Sequence, residues 1–338
     1  MCEDENEIIE VMMNANLSID AHLTVQLIES YLKKLVETEK SNGLLLGLSG
    51  GIDSSVLLTI AVRAVGKENV HASFLYDRDS EKGSEAKARI MAQWLDIRLD
   101  IADISPAMKS KNIYSPLIMK LVPYSALFNR MIQHSYRFIN GEVPFKTSLK
   151  IGSRVGEGSW IKCLMYKFII CHIDRGFSER HIHRRELLNK KAIEENLSLI
   201  GAANRSEFEI GWFVKDGVDD LPVQPMTGLY KTQVWQLASH LELPDEIQKQ
   251  LASPDMMFGI TDEFGIGHNY RQLDIILDMM EREETDEEMI NHGISRADIE
   301  DVRELKKYSE WKRNSLHETS PVQGGVDGNV RLPNRAPS

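Results

Sequence analysis

The chain has 338 residues, 42% of them hydrophobic and 27% charged, with a formal net charge of -11. That length is enough for one large α/β domain or two smaller ones. The acidic balance argues against a general nucleic-acid or membrane-surface binder, and no apolar run is long enough to span a bilayer.

The first nineteen residues carry many acids and no signal peptide, and we expect them to be flexible. Asp20 to Glu39 has apolar residues at helical spacing. Leu44 to Gly47 is an apolar run that ends in Ser49-Gly50-Gly51-Ile52-Asp53-Ser54-Ser55, after which an apolar pattern resumes to about Val65. This predicts a buried strand, a tight glycine turn and a helix opening on serines. Such a turn is an anion site, because the first N–H groups of a helix lack internal partners and glycines allow close backbone approach. Asp53 is placed to hold Mg2+ against phosphate oxygens. No lysine follows in the position a Walker loop requires.

Val70 to Tyr76 predicts a second strand, Ser80 to Leu95 a helix, and Ile97 to Ile101 a third strand. Strands alternating with helices imply a parallel sheet, with ligands at the carboxyl ends of its strands. Residues 106–177 mix basic and aromatic residues with proline and glycine at weak periodicity, and are expected to be an insertion capping the nucleotide end of the sheet. From Pro106 to Lys191 there are sixteen Lys and Arg against five Asp and Glu, so the rest of the chain carries -22. That segment is either a lobe facing an anionic ligand or a solvated surface.

Ser178 to Glu195 predicts a helix and Leu197 to Ala202 a fourth strand. Amphipathic helices follow over Thr227 to Leu241, Asn269 to Arg282 and Asp286 to Lys307, and a Gly/Pro/Asn-rich tail after 319 is expected to be disordered. Residues 20–318 are expected to form a single domain. Cys2, Cys163 and Cys171 have no metal-site or CxxC spacing, which fits free thiols in a cytoplasmic protein. His172, His181 and His183 lack ligand-spaced carboxylates or cysteines, so surface placement or phosphate contact suits them better than a metal. Trp160 and Trp212 suit stacking on a base or a place in the core.

The Ser-Gly-Gly-x-Asp-Ser turn resembles the PP-loop of ATP pyrophosphatases, which split ATP between the α and β phosphates. Downstream stand Asn204-Arg205-Ser206-Glu207, Lys215, the stretch Gly228 to Ala238 containing Leu229-Tyr230-Lys231-Thr232, and Ala252 to Glu263 containing Ser253 and Thr261-Asp262-Glu263. In this order the set is similar to ammonia-dependent NAD synthetase, well over residues 20–105 and 178–280 and poorly over 106–177. The resemblance implies a doubly wound parallel sheet of the adenine nucleotide alpha hydrolase type, with C-terminal helices. It implies ATP binding by Gly47, Ser49, Gly50, Gly51, Asp53, Ser54, Ser55, Lys231 and Ser253, and Mg2+ held by Asp53 and Glu207. It implies catalytic parts for Asp53 and Lys231, and substrate contacts from Arg184, Lys215 and Asp219 or Asp220. It also implies deamido-NAD and ammonia as substrates, and a homodimer.

The chemistry fits these residue types. A substrate carboxylate attacks the α-phosphorus, pyrophosphate leaves, and a divalent cation screens the crowded phosphates. Lysine as a point charge suits a phosphate. The local alternatives are a helix-dipole role for Glu207 and helix caps for Asp262 and Glu263. No glutamine-hydrolysing region is evident, so ammonia is expected free or from a separate glutaminase. Departures from the family concentrate in the dinucleotide half. A threonine that contacts ATP is replaced by Ala202, and the substrate aspartate falls on Pro222 unless shifted onto Asp219 or Asp220. The first arginine of the helix start is replaced by Ile182, and a His-Lys pair by Trp311-Lys312. A relative that adenylates a different anionic acid, and a tRNA-modifying PP-loop enzyme using the basic segment, are the competing readings.

Overall fold

The computed structural model describes residues 17–121, 126–153, 166–254 and 259–313. The expectations for residues 1–16, for Trp160 and for the tail after 319 lie outside these.

Four strands form a parallel sheet in the order β3-β2-β1-β4: β1 is Leu44–Gly47, β2 Val70–Tyr76, β3 Leu99–Asp103 and β4 Ser198–Ile200. Alternation along β1 decides what covers each face. Leu44 and Leu46 join a core with helices α1 (Ala21–Glu39) and α2 (Ile52–Val65), while Leu45 points the other way to Leu188 and Ala192. Those two residues belong to a long helix, Cys171–Glu195, and both sheet faces are therefore helix-covered.

Strand β2 has its predicted bounds, whereas β3 begins two residues later than predicted. The intervening helix α3 is Ser84–Trp94, and Asp96 then turns left-handed at φ 53°, with the Ile97 N–H donating to the Ala92 carbonyl. That turn uses the residues expected to open the strand. The start of α3 is also later than expected, because the Asp77–Gly83 loop folds on itself through the Asp77 carboxylate, which accepts the Asp79 N–H.

The segment expected to be an insertion of weak periodicity contains α4 (Ser105–Ser110), α5 (Leu117–Leu121), α6 (Ala126–Asn140), α7 (Pro144–Gly152) and a π turn at Tyr166–Ile170. The last runs directly into α8, Cys171–Glu195, which starts before the predicted Ser178. Beyond β4 come α9 (Arg205–Ile210), α10 (Lys231–His240), α11 (Asp245–Gln248), α12 (Asp262–Ile266) and α13 (Tyr270–Glu281). The single helix expected over 286–307 is two, α14 (Asp286–Asn291) and α15 (Arg296–Arg313), because Gly293 takes φ 83° between them. A second apolar core joins α13, α14 and α15 to Leu149 of α7 and Ile210 of α9, and so seats α7 against the C-terminal helices.

Among the described residues, no helix is long and apolar enough to cross a membrane.

Candidate active site

A cleft of about 710 Å³ opens at the carboxyl ends of β1 and β4. Its first wall is the turn after β1. Gly50 adopts φ +81°, and a Cβ there would sit 2.5 Å from the Ser84 carbonyl oxygen, so glycine is required by both backbone and space. The serines divide their work. Ser55 Oγ, fully buried, donates to the Gly51 carbonyl at 2.8 Å, while Ser49 Oγ accepts the Gly51 N–H at 3.2 Å and lies 3.1 Å from Ser54 Oγ. Gly47, Ser49, Gly51, Asp53 and Ser54 line the cleft, whereas Gly50 and Ser55 shape the turn from behind.

Asp53, in the first turn of α2, meets Lys231 at the start of α10 in an ion pair. The same ammonium lies 3.2 Å from Glu207 in α9. Two carboxylates predicted to act together are therefore bridged by the predicted lysine. Asn204, the N-cap of α9, ties the arrangement: its Oδ1 accepts the Glu207 N–H at 3.0 Å and its Nδ2 donates to Asp53 at 3.0 Å. The resemblance quoted Asn204 without giving it a part. Its signal was the N-cap pattern of an asparagine three residues before a glutamate.

The electrostatics follow from burial. Burial pushes the Glu207 carboxyl up to about 8, against the pull of Lys231. Burial also opposes charge on Lys231, but Asp53 and Glu207 outweigh it and hold its pKa above the ordinary lysine value. The Tyr270 hydroxyl stands 3.3 Å from Glu207 and 3.2 Å from Asp262. Asp262 is buried on the cleft wall, and α12 is capped by Thr261 Oγ1 instead, which accepts the Phe264 N–H at 3.3 Å. Glu263 accepts the Tyr270 N–H at 2.9 Å, serving the next helix. The capping expected of this acid pair thus falls to its neighbours in one case and to α13 in the other.

Residues expected to contact substrate are more scattered. Arg184 and Lys215 line the cleft; Arg184 donates to Ser80 Oγ at 3.3 Å and Lys215 to the Lys312 carbonyl at 3.4 Å. Asp219 lines it too and sits 2.7 Å from His181, which with Arg184 holds its carboxyl below the usual range despite burial. Asp220 does not line it: buried, it accepts the Asp216 N–H at 2.7 Å. Ser253 reaches the cleft, with its hydroxyl donating to Glu81 at 2.5 Å. Trp311 and Lys312 are cleft residues, and Trp212 lines the wall against the Phe145 ring at 4.6 Å.

Hard oxygen donors on adjoining strand ends, already arranged around one positive charge, fit Mg2+, which is commonly held by one or two carboxylates together with substrate phosphates. Among the described residues no group of three or more candidate ligands converges.

The turn, the strand-end acids and the lysine sit on a doubly wound parallel sheet of the adenine nucleotide alpha hydrolase type. The sequence model of the NAD synthase family matches residues 24–120 and 178–315. An NH(3)-dependent NAD(+) synthetase of Coprothermobacter proteolyticus is 34% identical, covering 78% of this chain and 86% of the relative. One from Thermotoga maritima is 30% identical over 83% and 92% of the two chains. The chain belongs to the NAD synthase family. Among solved structures, an NMN synthetase from Francisella tularensis shares the fold with a TM-score of 0.62 at 19% identity, covering 89% of this chain and 99% of the other. An NH3-dependent NAD synthetase from Campylobacter jejuni in complex with nitrate gives 0.56 at 19%, covering 90% and 100%.

Proposed function

We propose that the chain adenylates the carboxylate of deamido-NAD with ATP and then amidates it with ammonia, releasing AMP and pyrophosphate. The observation that carries this reading is the Asp53–Lys231–Glu207 cluster beside the glycine-serine turn, in a chain whose relatives are named as ammonia-dependent NAD synthetases.

The turn's backbone N–H groups and the Ser49 and Ser54 hydroxyls receive phosphate oxygens. Lys231 holds positive charge where the leaving pyrophosphate gains negative charge. A substrate carboxylate oxygen bonds to the α-phosphorus, the bond to the bridging oxygen breaks, and pyrophosphate leaves with the electron pair. Ammonia nitrogen then bonds to the acyl carbon, the bond to the AMP oxygen breaks, and the surplus proton passes to solvent. Asp53 and Glu207 would hold Mg2+, which supplies charge screening for the triphosphate. Arg184, Lys215 and Asp219 face the acid substrate. We further place the enzyme in the cytoplasm as a homodimer, as the family resemblance implies, with residues 20–318 as one domain.

The test is a stoichiometry. With ATP, Mg2+, ammonia and deamido-NAD, AMP and pyrophosphate form in equal amounts. If ATP binds but deamido-NAD releases no AMP, the substrate is another acid, and a panel of anionic carboxylates scored for pyrophosphate release identifies it. That second reading draws support from the cleft wall built by residues between 121 and 177, which lie outside the family match.

A further inference from the structure

Behind the cleft wall stands Tyr270, the first residue of α13 and 1% exposed. Its backbone is held on both sides. Asn269 caps the helix by accepting the Gln272 N–H at 2.8 Å, and Glu263 accepts the N–H of Tyr270 itself at 2.9 Å. The ring meets Trp235 edge-on at 6.2 Å, and Lys231 Nζ lies 5.1 Å from its centroid. With backbone and ring both held, the hydroxyl sits between two acids, 3.3 Å from Glu207 Oε1 and 3.2 Å from Asp262 Oδ2. Both distances are long for an O–H···O bond, as suits one proton shared between two acceptors.

The two oxygens of Glu207 are unequally used. Lys231 Nζ and the Tyr270 hydroxyl both fall on Oε1, and among the described residues no hydrogen bond falls on Oε2. Asp53 is held differently: Asn204 donates to its Oδ1 and Lys231 to its Oδ2. Once nucleotide and a divalent cation displace the Lys231 ammonium, Asn204 still orients Asp53. For the Glu207 carboxylate the donor that remains is Tyr270. A carboxylate tethered through one oxygen offers the other in a fixed direction, and partners that orient a ligand in this way set much of a metal's affinity.

We propose that Tyr270 is a positioning residue of the metal site: its hydroxyl tethers Glu207 Oε1 and so presents Oε2 to the Mg2+ that accompanies the nucleotide. The inference rests on the reading that Asp53 and Glu207 hold that ion.

The experiment titrates Mn2+, standing in for Mg2+, into the full chain saturated with α,β-methylene-ATP, and reads free Mn2+ by electron paramagnetic resonance. This analogue is not cleaved between the α and β phosphates, so binding is read apart from turnover. Tyr270→Phe weakens Mn2+ binding about 10- to 100-fold, while the ligand-free variant keeps its fold by circular dichroism. In turnover, the half-saturating Mg2+ concentration rises by the same factor, kcat recovers at saturating Mg2+, and the KM for deamido-NAD stays level. A double-mutant cycle separates positioning from packing. Glu207→Gln weakens Mn2+ binding by itself, and adding Tyr270→Phe to it brings no further loss. Unchanged or tighter Mn2+ binding in Tyr270→Phe, or an equal loss in both backgrounds, overturns the proposal. Failure of the underlying metal reading looks different: Glu207→Gln then binds Mn2+ as tightly as wild type, which overturns both.

Discussion

Lys231 and Lys312 are both cationic cleft residues, and their surroundings push them in opposite directions. Burial opposes charge on Lys231, but Asp53 and then Glu207 hold its pKa above the ordinary lysine value. Lys312 has only carbonyls in hydrogen-bond contact, and burial lowers its pKa to about 8. A base whose folded pKa is depressed binds fewer protons folded than unfolded between that value and its ordinary 10.5, so folding does not favour its charge there. The charged form that attracts an anionic substrate is thus lost as pH rises through about 8. We expect the KM for the acid substrate to climb across that range while the KM for ATP stays level, and Lys312→Met to remove the pH dependence. Replacing Lys231 by Met should lower kcat/KM by about 10²- to 10³-fold, the usual cost of losing a preorganised charge. Arginine is not expected to rescue it, because a planar fork does not fit the gap between two facing acids. Asp53, Glu207 and Lys231 were legible in the sequence because each sits in a short contiguous pattern. The position of Asp262 on the cleft wall was not, since it depends on contacts with Tyr270 and Trp212 made only in the folded chain.

At the scale of elements, the helix starts matter most. Asp274 of α13 is fully buried and accepts from Ser206 Oγ, from the Thr232 N–H at 2.8 Å and from the Thr232 hydroxyl at 2.7 Å. Ser206 Oγ in turn accepts the Lys231 N–H at 2.8 Å. One carboxylate therefore fixes the start of α10, which carries Lys231, against α9, which carries Glu207. Asp274→Asn should lower kcat on the order of 10-fold at temperatures well below its melting point, since small misplacements of reacting groups are costly. Substrate KM values should change little; a lowered melting temperature with kcat intact would limit Asp274 to stability. The sequence marked the helices by their apolar spacing, but their bounds shifted wherever a left-handed residue intervened, as at Asp96 and Gly293. The proline and glycine interruptions over 106–177 drew attention away from α6, whose apolar residues do recur at helical spacing; Leu127, Met131 and Phe138 are exposed, against the usual apolar-inward rule.

Across the whole molecule, the charge asymmetry acquires a structural meaning. Part of the basic segment is paired with the acidic remainder. Arg180 is buried against Asp77 and Asp79, Lys191 pairs with Asp100, and Lys146 of α7 pairs with Asp301 and Glu304 of α15. The Asp301 pair can be tested by acid. Burial raises the cost of its charge, but His268 and Lys146 hold its carboxyl down to about 2. With the folded value below the ordinary one, its stabilisation is complete above about 4 and is lost as pH falls through about 2. Asp301→Asn should reduce stability at neutral pH by ~1–3 kcal/mol, as for a partly exposed ion pair in a network. It should also flatten the fall in melting temperature between those two pH values.

The lysine lodged between two acids leaves the resting enzyme with a built-in counterion. A metal arriving alone would have to evict that ammonium and would have no phosphate to offer it in exchange. Nucleotide and magnesium should therefore enter as a pair, and magnesium without nucleotide should leave the melting temperature unmoved.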